Sequence, residues 1–210
     1  MFEMKPLEKP AQHWTVTIDG VRQPGIRHIE LASQWGTLIW GQRPEGFEGW
    51  TFKEAGGAIT IPWARLNGRI LIGMIAEMRP NMGQRPSWCA IGGILDPGET
   101  HHQAVLRETM EESGIVTETA ISLSGLPLIS DRLYFVADSA KDEGVHAYHL
   151  PFSGEDLELA ADGGWQLKDG LSLKGESVLR FFPWKEAARM TADSLLAAGI
   201  LRLLSNVLED

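Results

Sequence analysis

A single cysteine, Cys89, stands in 210 residues, so no intrachain disulfide can form. The chain therefore reads as a protein of a reducing compartment. No apolar run approaches the length of a membrane span, and the N-terminal MFEMKPLEKP has no apolar signal core. These absences point to the cytoplasm. Positive charge is scarce as well: 19 Lys and Arg against 28 Asp and Glu leave a net charge of −9. That balance disfavours broad nucleic-acid binding, which needs a basic surface. It leaves room for a small anionic substrate, because a metal ion reverses the field locally. Internal repeats are also lacking. What is present is an ordinary globular composition, 43% hydrophobic and 22% charged. The length suffices for one well-buried domain, alone or with a small appendage.

The chain is organised around the stretch from Gly93 to Ile115, GILDPGETHHQAVLRETMEESGI. Asp96-Pro97-Gly98 is turn chemistry. Thr100 and Gln103 fit a capping box, and Gly114 stands where a left-handed residue ends a helix. Between these signals, Glu108, Glu111 and Glu112 are spaced so that a helix gathers them on one side. Like charges at that spacing repel and add nothing to helix stability. A hard divalent cation reverses the balance, since it binds carboxylate oxygens. Taken singly, each glutamate reads as a solvated surface acid. Taken together, they point to a metal.

Written as G-x5-E-x7-R-E-x-x-E-E-x-G-hydrophobic, Gly93, Glu99, Arg107, Glu108, Glu111, Glu112, Gly114 and Ile115 all fall in place. The segment strongly resembles the box of the Nudix hydrolases. Thr109 is the one departure, where that family usually has an aliphatic residue, and it is expected to loosen helix packing slightly. The resemblance implies an α+β fold, a Nudix-type α/β/α sandwich with a mixed sheet, here with a small β-rich N-terminal unit. It implies hydrolysis of a nucleoside diphosphate linked to another group, with Mg²⁺ as cofactor and Mn²⁺ as a substitute. Glu108 and Glu112 correspond to the usual metal ligands, Glu111 shares or assists, and the Gly92 carbonyl joins them. Glu99 and Arg107 correspond to a pair that holds the loop on the helix; a phosphate contact is the alternative for Arg107. Glu111 and Glu112 are catalytic candidates, and such enzymes often add an acid from a late loop. Glu176 is the first choice there, with Glu143, Glu155 and Glu158 as competitors; each also reads as a solvated loop acid.

Beyond the box, residues 69–77, Arg79-Pro80, residues 88–93, Pro183-Trp184-Lys185-Glu186-Ala187 and Thr191-Ala192-Asp193 look like the ADP-ribose pyrophosphatases. That subgroup tends to be homodimeric through an extra N-terminal β unit. The likeness implies ADP-ribose or a related nucleotide sugar as substrate, with Arg79 and Trp50 as substrate-binding candidates. Before the box, however, Cys89-Ala90-Ile91-Gly92-Gly93 stands where the subgroup has Glu-Leu-Pro-Ala-Gly. The alternatives are a nucleotide-sanitising triphosphatase and a non-catalytic nucleotide-sensing module. Sensors often lose box acids, and none is lost here.

The expected organisation is residues 1–53 as the β-rich unit and residues 54–210 as the hydrolase domain. Strands are expected at 13–18, from 21, at 26–31 and at 37–40, with a loop over 41–50. Trp35, Trp40, Phe47, Trp50 and Phe52 crowd this part, as core or dimer contacts or, alternatively, for stacking on adenine. Residues 58–66 and 69–77 read as buried strands joined at Asn67-Gly68. A single strand at 87–91 leads into Gly92-Gly93, and strands follow at 117–123 and 128–137. Residues 138–175 read as loop with one strand at 145–152. Residues 177–184 form a strand and 185–190 a helix. A last helix runs to near 208, capped by Thr191 or Asp193, with Leu195, Leu196, Ile200, Leu203, Leu204 and Val207 as its core stripe. His101 and His102 read as exposed helix-start residues, and Cys89 as a strand residue rather than a nucleophile.

Overall fold

The structure, a computed structural model, describes residues 16–18, 21–23, 29–33, 36–42, 48–54, 56–78, 85–123, 132–133 and 144–207. The chain divides into two compact units, one of which is Gly56–Leu133 with Val145–Asp210. The other holds two small antiparallel sheets. In the first, β1 (Val16–Ile18) pairs with β2 (Val21–Gln23), and Ile18 faces Val21 as a two-residue Asp-Gly connection demands. In the second, β3 (Ile29–Ser33), β4 (Gly36–Gln42) and β5 (Glu48–Glu54) lie in sequence order. The loop expected over 41–50 is therefore shorter. Gly41 pairs with Gly49 and Gln42 with Glu48, so the ladder carries through these glycines.

The larger unit is built on β6 (Gly57–Leu66) and β7 (Arg69–Met78). Asn67 and Gly68 both have positive φ, 50° and 75°, the geometry that a two-residue hairpin needs. β8 (Pro86–Cys89) pairs with β7, and β9 (Ile91–Ile94) pairs with β6. The single strand expected at 87–91 is thus two strands with different partners, broken at Ala90. The Ala90 N–H leaves the ladder and donates to Asp193 Oδ2 at 3.0 Å. After α1 (His101–Ser113) come β10 (Ile121–Ser122), β11 (Arg132–Leu133) and β12 (Val145–Ser153). Only two residues of the strand expected at 117–123 join the sheet. β13 (Leu157–Leu159) and β14 (Trp165–Leu167) form a hairpin inside the stretch read as loop. β15 (Val178–Pro183), α2 (Trp184–Met190) and α3 (Ser194–Val207) complete the unit.

Among the described residues these strands make one ten-stranded mixed sheet, whose β12–β6 pair is parallel. Alternation along the strands sorts side chains onto two faces. Ile59 and Ile61 of β6 and Ile70, Ile72 and Met74 of β7 pack with Leu196, Ile200 and Leu203 of α3 and Ala187 of α2. Ala58 of β6 and Tyr148 of β12 pack instead with Ala104 and Val105 of α1. The result is helix, sheet, helix, an α+β Nudix-type sandwich. Each fully buried aliphatic side chain stabilises it by roughly 1.5–3 kcal/mol.

Candidate active site

The acidic helix α1 is fixed at both ends. At its start, the Gln103 N–H donates to Thr100 Oγ1 at 3.3 Å and the Thr100 N–H donates to Gln103 Oε1 at 2.9 Å. This is the reciprocal box that the sequence predicts. At its end Gly114 adopts φ 73°, and its N–H donates to the Met110 carbonyl at 2.9 Å. The last carbonyls of a helix lack internal partners. Here they are met from a distant part of the chain: the N–H groups of Glu176 and Ser177 donate to the carbonyls of Glu111 and Glu112, each at 2.9 Å, and Leu173 N–H donates to Gly114 at 2.7 Å. Gly175 makes this docking possible, since a Cβ there would lie 2.5 Å from the Glu112 carbonyl oxygen.

Two of the acids close on Gly92 and Gly93 of β9. Glu112 Oε2 accepts the Gly92 N–H at 2.8 Å. The Glu108 carboxylate covers Gly93 so closely that a Cβ there would sit 2.1 Å from Oε1. Gly92 itself has φ 152° and would drive a Cβ to 2.2 Å from the Ala58 carbonyl oxygen on β6. Both glycines are therefore steric requirements of the site, one toward the strand and one toward the carboxylate.

Arg107 ties the preceding loop to the helix. Its Nε donates to Glu99 Oε1 at 3.0 Å, and its Nη2 donates to Glu99 Oε2 at 2.9 Å and to the Ile94 carbonyl at 3.0 Å. Its Nη1 donates to Glu108 Oε1 at 2.7 Å and to Glu111 Oε2 at 3.3 Å. Five acceptors thus meet the five N–H donors of a guanidinium, leaving none for a phosphate. The hydrogen bond from Arg107 holds the Glu99 carboxyl below the usual range, against a smaller opposing effect of burial. Glu99 in turn raises Arg107 further above its already high value.

The donor chemistry fits a hard divalent ion: two carboxylates beside the backbone of Gly92 and Gly93, with Glu111 at 45% side-chain exposure on the same helix. Among the described residues no set of three or more His, Cys, Asp or Glu side chains is already converged to hold a metal ion. Arg107 supplies the internal cation that eases the repulsion between Glu108 and Glu111.

Other candidates fall in varied places. Glu176 is exposed, beside the end of α1 that its own N–H caps. Glu158 accepts from Gln166 Nε2 at 2.8 Å, and Glu155 is exposed within the 3-10 turn Gly154–Asp156. Glu143 and Arg79 lie outside the described residues. Trp50 stands opposite Trp40 in the three-stranded sheet. His101 is not a simple exposed residue: its ring stacks on His146 of β12, with centroids 3.6 Å apart. His102 is exposed and meets Tyr148 edge-on. Cys89 is buried in β8.

Sequence reasoning missed Thr60 and Gly175 as supporting residues and left Asp193 as one of two cap candidates. Thr60 on β6 is buried with its hydroxyl 3.0 Å from that of Thr109, so Thr109 does not loosen the helix; it bonds it to the sheet. Gly175 admits the loop that closes α1. Asp193, not Thr191, caps α3: Oδ1 accepts the Leu195 N–H at 2.9 Å while Oδ2 holds Ala90. Thr191 donates to the Trp88 carbonyl at 2.8 Å instead. The segment Thr191-Ala192-Asp193 before the last helix was the available signal for Asp193; nothing local announces Thr60.

A mixed sheet between helices, with a glycine-bearing strand leading toward an acidic helix, is the arrangement that the resemblance to the Nudix hydrolases implies. The model of the NUDIX domain matches residues 65–198, and the chain belongs to the Nudix family. Among solved structures, an ADP compounds hydrolase is similar at a TM-score of 0.51 and 13% identity, over 98% of this chain and 97% of that one. A C. elegans Ap4A hydrolase binary complex gives 0.48 and 18%, over 74% of this chain and 99% of that one. The NUDIX domain of Shewanella oneidensis NrtR complexed with ADP ribose gives 0.46 and 15%, over 78% and 92%. At 13% identity the likeness to the ADP compounds hydrolase is one of fold. No curated protein sequence matches the chain. Among the described residues no helix is long and apolar enough to cross a membrane.

Proposed function

We propose that the protein hydrolyses the pyrophosphate bond of a nucleoside diphosphate derivative, ADP-ribose or a related nucleotide sugar, using Mg²⁺ with Mn²⁺ as a substitute. The observation that carries this reading is the closure of Glu108 and Glu112 over Gly93 and Gly92. Glu108, Glu112 and the Gly92 backbone would hold the ion, with Glu111 assisting. A bound divalent ion supplies positive charge where it builds up negatively on the phosphate oxygens.

The chain's own residues do the rest. The Gly92 N–H and the capped ends of α1 fix Glu112, and Arg107 orients Glu108. Such prior positioning lowers the barrier without rearrangement during the reaction. Water adds its oxygen to phosphorus while the P–O–P bridge breaks, and the bridging oxygen leaves on its phosphate as an oxyanion. No strong general acid is needed for that departure. The water's proton goes to a carboxylate. Glu111 is the most exposed of the three box acids and suits this task; Glu112 and Glu176 are the other candidates. Arg79 and Trp50 would contact substrate. The N-terminal 53 residues would mediate a homodimer in the cytoplasm.

Purified protein with Mg²⁺ and ADP-ribose should release AMP and ribose 5-phosphate, resolved by ion-exchange chromatography. Glu112→Gln should lower kcat on the order of 10²-fold, the size of losing one positioned electrostatic contact. Undiminished turnover in that variant would overturn the mechanism. Pyrophosphate release from nucleoside triphosphates, with ADP-ribose untouched, would reassign the substrate; nucleotide binding without turnover at any divalent ion would make the domain a sensor.

A further inference from the structure

Far from the acidic helix, the same unit gathers a second set of charges. Arg65, Arg69, Lys185 and Arg189 line a cavity of about 470 Å³ with Trp184 and Glu186 among its walls. The fold brings them together by two routes. The Asn67-Gly68 turn sets Arg65 and Arg69 at the tip of one hairpin, across from Ile70 and Leu66. α2 follows β15 without a linker, beside β7, and carries Lys185 and Arg189 one turn apart.

Four cations against one carboxylate give this spot a formal +3, within a chain of net charge −9. Among the described residues none of the four forms an ion pair. Arg65 donates to the Val207 carbonyl at 3.1 Å, and Lys185 Nζ lies 5.5 Å from the centroid of the Trp184 ring. Like charges so gathered repel, and the arrangement gains nothing for folding. An anion reverses the sign of that energy. Guanidinium groups match phosphate oxygens in pairs, and ammonium groups bind them as point charges. The volume falls in the range of small-ligand sites, roughly 300–1,000 Å³. The cavity is also remote from the box. Ala58 pairs with Gly93, whereas Arg65 lies seven residues further along β6, roughly 23 Å at about 3.3 Å per residue. It adjoins α2, on the face of the sheet away from α1.

We propose that this cavity binds a small molecule carrying at least two phosphate groups, at a site separate from the acidic helix. Calorimetric titration of the whole chain with tripolyphosphate in EDTA tests it, because chelation removes any contribution from a metal-dependent site. Saturable binding that weakens with salt is expected. It should fall at least tenfold in Arg69→Gln/Arg189→Gln, fall less in Lys185→Gln, and stay unchanged in Glu108→Gln/Glu112→Gln. No saturation at millimolar ligand, equal binding by the arginine variant, or loss in the glutamate variant would each overturn the site. A single-stranded oligonucleotide that binds more tightly than tripolyphosphate would overturn the small-molecule assignment. Failure of ADP-ribose hydrolysis leaves every one of these readings intact.

Discussion

The hydroxyls of Thr60 and Thr109 lie 3.0 Å apart, both buried, one on the central strand and one on the acidic helix. The polar residue at a position usually aliphatic is thus answered by a second polar residue across the interface. Thr109→Val would strand the Thr60 hydroxyl and is expected to lower stability by about 1–3 kcal/mol. The Thr60→Val/Thr109→Val pair removes both hydroxyls and should recover most of that loss. Urea unfolding of the two variants measures it; a Thr109→Val variant as stable as the parent would mean the bond contributes nothing.

Gly93→Ala moves a proposed ligand without deleting it. The atoms nearest the new Cβ belong to the carboxylate end of Glu108, with Oε1 at 2.1 Å. Stability should hold, since alanine in a strand replaces a residue that is unfavourable there by roughly 0.5–1 kcal/mol. Affinity for Mn²⁺, followed by electron paramagnetic resonance, should fall roughly 10–100-fold, as when a metal ligand loses its support. Unchanged affinity would remove Glu108 from the ligand set.

The Glu99–Arg107 pair predicts a pH dependence. Its hydrogen bonds lower the Glu99 pKa from the ordinary 4.5, so the folded state favours the carboxylate. The stabilisation is present in full above that ordinary value and is lost as pH falls below it, through Glu99's own lowered pKa. Glu99→Gln should therefore melt well below the parent at pH 7, and the gap should narrow as pH drops beneath 4.5. A gap of constant size across that range would show that ionisation of Glu99 is not its source.

Asp193 serves two segments at once, the start of α3 and the break between β8 and β9. Asp193→Ala is expected to cost about 0.5–2 kcal/mol for the cap and about 1 kcal/mol for the Ala90 hydrogen bond. Asp193→Asn retains one acceptor oxygen and should cost less. Denaturant midpoints of the two variants separate the contributions; equal losses would mean that one of the two bonds carries no energy.

Local signals were legible and distant ones were not. Thr100, Gln103 and Gly114 mark the ends of α1 within the helix itself, and Asn67-Gly68 marks its hairpin within four residues. The acids were legible because their spacing alone sets their common side. The break at Ala90 was not, because it depends on Asp193 from the far end of the chain. β13 and β14 are three residues each, too short for alternation to show. The partnership of Thr60 with Thr109 exists only once β6 and α1 face each other across the core.

The two ends of α1 are closed on different schedules. Its front turn needs only Thr100 and Gln103, which leave the ribosome together, whereas its rear carbonyls wait for residues 173–177. During synthesis the helix can begin winding as soon as its own residues emerge, yet Glu111 and Glu112 stay on a fraying terminus until some sixty more have been added. Competence therefore arrives late in translation, set by a glycine-bearing segment that contributes to the chemistry chiefly by holding another part of the chain still.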